Sequence, residues 1–422
     1  MTASTRRSEF ALHSVTLVNA VGNGLFTVAG TLFFVQALDM TPVRMGLGLT
    51  LAAALGLAAS VPVTRALDGR PLRAAYMTLL VVQAVAMALL PLSRSFGVLV
   101  AVLALGAVGQ KSARAVNNAL IGQVAGERRA EVRATSRSVN NLGTAGGALL
   151  STTAVVNGTD QAYELLVYAD AVTFLLAAAL VPAVRAGGRL ATAGRGTRSP
   201  ASTPSSTSSS TSSSGSALRD RRYLSVTLAD GVMCLEYFVI TLVLPLWVVE
   251  HTSAPRAVVP ALFALNMLLV AVFQIRISRR ARTVLSAARS VRLSGGIFLI
   301  SLTLLVLAGS APAVPAVVLL VTGIGLHTVG EMCHAAGASE LSYGLAPEDR
   351  MTEYQGVFGL GMGVAEIIAP YALVVACLDG GRLGWAGLAL LLFGTGATLP
   401  LLVARPRVTE PAPLVDHALQ GR

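Results

Sequence analysis

Read from one end to the other, the chain alternates long apolar stretches with short polar connections. Twelve stretches stand out, at 11–37, 45–63, 74–91, 96–121, 134–156, 162–183, 223–249, 257–275, 288–309, 312–337, 352–376 and 383–403. Each approaches the roughly 20 residues that cross a bilayer core. Runs such as Val98–Val108, Ala171–Val184 and Ala316–Leu326 are continuously apolar, whereas strands of a membrane barrel would alternate over about ten residues. Backbone N–H and C=O groups in lipid must be bonded within the protein, so continuous runs of this length predict helices. The expected fold is an all-α integral membrane protein of twelve transmembrane helices. The first stretch is too long for the apolar core of a cleaved leader, and no small-residue cleavage site follows it. It reads as a retained first span.

The polar connections give the orientation and the division of the chain. With the N-terminus on the cytoplasmic side, that side holds Arg6, Arg7, Arg65, Arg70, Arg73, Arg128, Arg129, Arg133 and Arg137, the cluster Arg276, Arg279, Arg280 and Arg282, and Arg405 and Arg407. The other side holds only Arg44, Arg94, Arg256 and Arg382. Arginine excess marks the cytoplasmic side, so an even number of spans with both termini cytoplasmic in the inner (plasma) membrane is expected. Residues 186–219 differ in kind: SPASTPSSTSSSTSSSGSA offers nothing to a core and reads as a flexible linker. It separates an N-terminal six-helix bundle, 1–185, from a C-terminal one, 220–405, with a cytoplasmic tail at 406–422. The halves echo each other. Ala125-Gly-Glu-Arg-Arg129 follows the fourth span, and Ala346-Pro-Glu-Asp-Arg350 follows the tenth. Two such halves are what parallel-repeat transporters show, although each loop is also an ordinary interfacial turn.

Composition narrows the reading. Charged residues make up 13% of the chain, against about 25% in a soluble domain, so the water-facing surface of a soluble protein is missing. The net charge of +11 comes from 31 Arg and a single Lys placed mostly in connections. No basic cluster is interleaved with aromatics, which argues against a nucleic-acid partner. Cys234, Cys333 and Cys377 lie far apart in apolar segments, with no CxxC motif or disulfide framework.

Several segments carry a family resemblance. Asn23-Gly24-Leu25-Phe26 is followed by Met45-Gly-Leu-Gly-Leu-Thr50. The loop after the second span reads Thr64-Arg-Ala-Leu-Asp68-Gly69-Arg70-Pro71-Leu72-Arg73. Glu127-Arg128-Arg129 leads to Asn141-Leu142-Gly143, and Asp170-Ala171-Val172-Thr173-Phe174, Gly330-Glu331-Met332, Ala346-Pro347 and Ala369-Pro370 follow. Together these resemble the major facilitator superfamily across both halves. Asp68 and Arg73 match that family's loop signature Gly-x-x-x-Asp-Arg-x-Gly-Arg-Arg/Lys, while Thr64, Gly69, Pro71 and Leu72 depart from it. Gly143-x-x-Gly146-Gly147 has the glycines of the antiporter motif in span five without its proline. The resemblance implies two six-helix bundles around a central cavity, worked by alternating access, with the loop signature gating the cytoplasmic face.

Ionisable groups at membrane depth cost at least about 2.5–3.5 kcal/mol each and mark candidate function. Glu366 shares a face of span eleven with Gly359, Gly363 and Pro370. It reads as a proton-exchanging carboxylate or as a hydrogen-bonded structural one. Glu331 has His327 and His334 at i−4 and i+3, with Cys333 adjacent. That face could be a proton relay, a helix–helix bond or, at longer odds, a metal set; no metal is assigned. Asp230 and Glu236 fall about 120° apart on a regular helix. They are not expected to face one spot: Glu236, the deeper, is the cavity candidate, and Asp230 is expected to pair with a cytoplasmic Arg or else to serve transport. Lys111 calls for a carboxylate such as Glu366 or Asp170, whereas Arg114, one turn nearer the cytoplasm, is read as snorkelling. Asn19 and Asn23 line a cavity or join helices.

No GxxxxGK[ST] loop and no GxSxG elbow occurs. The chain is thus expected to be neither an ATP-driven pump nor an enzyme, and to need no cofactor. The function expected is a monomeric secondary transporter of a small molecule, with proton-coupled efflux ahead of a proton-independent or uptake carrier for an anionic metabolite.

Overall fold

The computed structural model describes residues 3–67, 69–125, 129–184, 216–347 and 350–404. Asp68, Glu127, Arg128, Glu348, Asp349, nearly all of the serine-rich linker and the tail from 405 lie outside them. The described residues form twelve long helices. The first bundle contains α1 (Ala3–Leu32, continued by a π turn Phe33–Ala37), α2 (Pro42–Ala66), α3 (Leu72–Leu89), α4 (Phe96–Ala125), α5 (Arg129–Leu150) and α6 (Asp160–Leu180). The second contains α7 (Arg221–His251), α8 (Val258–Ser278), α9 (Val284–Ala308), α10 (Ala313–Gly344), α11 (Met351–Val374) and α12 (Gly381–Ala404). Ten of them are long and apolar enough to cross a membrane, and α1, bent by 40°, makes eleven. The twelfth, α5, starts on Arg129, Glu131, Arg133 and Arg137, so it is more polar than its neighbours. It nevertheless packs lengthwise between α1 and α8.

The outer surface is greasy. Leu383, Leu228, Leu165 and Leu401 are among many large apolar side chains left exposed. In water a continuous coat of this kind would drive aggregation; around a membrane bundle it is the lipid contact. Inside, helices approach through small residues, as expected where lipid removes the hydrophobic drive between helices. A Cβ on Gly147 of α5 would overlap the carbonyl oxygen of Val21 in α1, and one on Gly24 would overlap that of Thr144. Gly361 of α11 lies against Gly231 of α7 in the same manner, 3.3 Å from a built Cβ to Cα.

The bundles touch through α2 against α11 and α5 against α8. Thr50 Oγ1 donates to the Ile367 carbonyl at 2.8 Å across that first seam. Additional contacts join α1 to the last turns of α7, Leu244–His251, and the short helix Thr152–Asn157 to α8. These segments lie at the end of the molecule opposite the start of α1 and the end of α12.

Arg73, at the start of α3, reaches the last turn of the first bundle, donating to the carbonyls of Pro182 and Val184 at 3.5 and 3.4 Å. A cation on free carbonyls at a helix C-terminus is favourable. Arg73→Ala should lower stability by about 0.5–1 kcal/mol, measured by thermal unfolding in detergent. An unchanged midpoint would mean the contact is incidental.

Candidate functional site

Three polar constellations sit inside the bundles. The first links them. Lys111 of α4 and Glu366 of α11 form an ion pair at 2.6 Å, with 14% and 28% of their side chains exposed. Local sequence places Glu366 at a helix irregularity. Pro370 has no N–H, so the Glu366 carbonyl loses its intrahelical donor, and the Pro370 backbone packs on Gly46 of α2. Glu366 and Pro370 border an inter-bundle cavity of about 290 Å³ whose other walls include Phe26, Phe34, Phe238 and Leu242. Of the glycines expected to share the face of Glu366, Gly363 faces Leu57 of α2, whereas a Cβ on Gly359 would meet open space.

The second is a polar cavity of about 420 Å³ inside the first bundle. Asn19, Asn23, Gln83, Gln110, Arg114, Asn117 and Asn140 line it, from α1, α3, α4 and α5. The Oδ1 atoms of Asn19 and Asn117 are buried and, among the described residues, accept no hydrogen bond. Asn23, Thr27, Gln83 and Gln110 also border an adjoining space of about 230 Å³, which shares Phe26, Leu103 and Ala107 with the inter-bundle cavity. The three spaces therefore share walls, and the series is polar at one end and aromatic at the other. Asp170, 1% exposed, stands at the wall of the middle one with Thr173 Oγ1 donating to it at 3.3 Å. Gly22 makes room for both, since a Cβ there would overlap Thr173 Oγ1 and Asp170 Oδ1.

The third is a buried network in the second bundle. His327 Nε2 lies 3.0 Å from Glu236 Oε2, both side chains being fully buried. His334 lies between two acids, Nε2 at 3.0 Å from Asp230 Oδ1 and Nδ1 at 3.4 Å from Glu236 Oε1. The sequence expectation that Asp230 and Glu236 cannot reach one spot is corrected here. Between them α7 tightens into a 3₁₀ turn, Cys234–Glu236, and three steps at about 120° instead of 100° reduce their separation to roughly 60°. The two nitrogens of one imidazole cover the rest. Asp230 is thus bound to a histidine of α10 and not to an arginine. Glu331 accepts from Asn266 Nδ2 of α8 at 2.7 Å, which is the helix–helix bond among its expected readings. A π turn, Val239–Val243, follows the 3₁₀ turn just before Pro245, so α7 is irregular where it meets the cavity.

Arg114 lines the polar cavity with its side chain exposed; among the described residues it has no ion-pair partner. Asn140 and Gln83 also line that cavity and carried no signal in the sequence beyond being polar residues in apolar surroundings. Asp68, half of the loop signature, is outside the described residues; Arg73 does not line any of the three cavities.

The sequence profile of the Major Facilitator Superfamily matches residues 12–370. The chain belongs to this family. The fold agrees: a nucleoside transporter, NupG, superposes with a TM-score of 0.70 at 10% identity, covering 94% of this chain and 98% of that one. A POT family transporter in complex with a thioalcohol-conjugated peptide gives 0.72 at 13% identity, covering 94% and 97%. A bacterial homologue of the iron transporter ferroportin in an inward-facing state gives 0.65 at 17% identity, covering 96% and 100%. At these identities the likeness is one of fold. No curated protein matches the chain in sequence. Membrane transport of a small molecule follows for this facilitator from its family, and the cavities between and within its bundles are where a substrate has room.

Proposed function

We propose that this facilitator is a proton-coupled exporter of a small amphipathic compound, with Glu366 binding either a proton or the substrate. The observation that carries this reading is the Lys111–Glu366 pair, which spans the two bundles at the wall of the inter-bundle cavity. A pair across the moving interface couples chemistry to conformation. Protonating Glu366 or occupying it with substrate releases Lys111, and a group that is shared cannot hold both at once. The cavity chain fits an amphipathic molecule, with aromatic walls for its body and amide side chains for its polar part. A compound with an apolar body crosses a bilayer unaided, so a carrier is useful mainly for moving it uphill, out of the cell. The arginine-rich loops support an inner (plasma) membrane location with cytoplasmic termini. The contacts at the far end then leave the site facing the cytoplasm. Two six-helix halves joined by the linker complete the picture.

A second reading is favoured by one observation, the unpaired Arg114 in the polar cavity. An anionic substrate held by Arg114 and by Lys111, once Glu366 is protonated, would travel with a proton and not against it. Proton movement on binding separates the two. Purified protein in weakly buffered detergent is mixed with tetraphenylphosphonium or with octanoate at a series of pH values, and a pH dye records the change. Export by exchange predicts proton release with the cation. Proton uptake with the anion, and none released by the cation, would replace the exchange reading with co-transport.

A further inference from the structure

The buried network of the second bundle contains a group of ligands that the transport reading does not use. Asp230 and Cys234 are one turn apart on α7, and His334 faces them from α10. One ligand atom from each lies within 4.8 Å of the others. All three residues are buried. Cys234 Sγ is 3.8 Å from Asp230 Oδ2, and His334 Nε2 is 3.0 Å from Asp230 Oδ1. Tetrahedral bonds of about 2.3 Å to sulfur and 2.0–2.1 Å to nitrogen or oxygen require ligand separations of about 3.3–3.6 Å. The observed spacings therefore need shifts of a few tenths of an ångström, and up to about 1 Å for the widest.

We infer that Asp230, Cys234 and His334 form a binding site for a borderline-soft divalent cation of the zinc type. One carboxylate, one thiolate and one imidazole are ligands that suit Zn²⁺ and disfavour Mg²⁺ or Ca²⁺. The surroundings fit as well. A metal-bound histidine usually donates its other ring N–H to a carboxylate, which fixes the ring and its tautomer. Glu236 Oε1 stands 3.4 Å from His334 Nδ1, where it accepts that proton and leaves the Nε2 lone pair aimed at Asp230 and Cys234. His327 Nε2 in turn holds the second Glu236 oxygen at 3.0 Å. Binding displaces the thiol proton of Cys234 to solvent, so the two anionic ligands balance the ion's charge. Thr227, one turn before Asp230, has a buried hydroxyl without a partner among the described residues. These are not the residues that the sequence grouped on one face of α10: of His327, Glu331 and His334, only His334 takes part. An ion here joins α7 to α10 and takes Asp230 and His334 out of their direct hydrogen bond.

Cobalt tests this directly. Full-length protein with its affinity tag removed is stripped with chelator and titrated with Co²⁺, following the near-ultraviolet thiolate-to-cobalt charge-transfer band. The site predicts saturation at one equivalent, bleaching by Zn²⁺, loss of the band in Cys234→Ser and retention in Cys333→Ser. Glu236→Gln should weaken binding about 10–100-fold, as loss of a carboxylate behind a histidine ligand does. A stripped wild-type protein that gives no such band overturns the site whatever the variants do. So does a band that persists in Cys234→Ser or that is unchanged in His334→Ala.

Discussion

Replacing Glu366 with Gln should abolish transport driven by a pH gradient in proteoliposomes while leaving counterflow exchange of substrate intact. Gln keeps the size of the side chain and mimics its protonated form, but it cannot release a proton. The carrier would then cycle with substrate alone, and the proton gradient would have nothing to act on. Lys111→Met should give the complementary defect, because Glu366 then loses the cation that competes for it. Glu366→Gln also leaves Lys111 without its partner. Breaking a buried pair costs about 3–5 kcal/mol, and the 14% and 28% exposure of these side chains reduces that to about 1–2 kcal/mol. The variant should therefore fold and insert. A Glu366→Gln protein that still accumulates substrate against a pH gradient at the wild-type rate removes this carboxylate from the coupling mechanism.

Gly147→Leu should prevent stable assembly of the first bundle. The Cβ alone would overlap the Val21 carbonyl oxygen and lie 3.0 Å from the Leu25 nitrogen. Backbone cannot swing aside as a side chain can, so α1 and α5 would have to separate along the seam that Gly24 and Gly143 also build. The expected loss exceeds about 4 kcal/mol, in the range reserved for overpacking and broken cores. Gly146 supplies the control: it is the adjacent residue, and a Cβ there meets nothing within 4 Å. Gly146→Leu should elute as a monodisperse peak in detergent at normal yield. Equal behaviour of the two variants in size-exclusion and thermal-unfolding measurements would show that α1 and α5 are not held by this contact.

Both predictions depend on different levels of information. The existence of the spans was legible in the chain because lipid imposes a local rule: a run of apolar residues long enough to cross must be helical wherever it ends up. That rule gave Val98–Val108 and Ala316–Leu326 their places in α4 and α10, and the pattern of motifs pointed to the family now matched over residues 12–370. It also singled out Lys111, Glu236, Glu331 and Glu366, since a charge in a greasy run is conspicuous without any structure.

Which of those charges meet was not a local matter. Lys111 and Glu366 are 255 positions apart, and their pairing depends on how α4 and α11 sit across the bundle interface. Asp230 and Glu236 converge on His334 because α7 tightens within one turn, a departure from regular geometry that average periodicity does not encode. Glu331 binds Asn266 because a neighbouring helix offers a donor at 2.7 Å. Sequence by itself determined that this protein crosses the membrane, roughly where, and which residues are costly to bury. Tertiary structure alone decided which of them share that cost, because hydrogen bonds and ion pairs form over about 3 Å and distance along the chain says little about distance across the bundle.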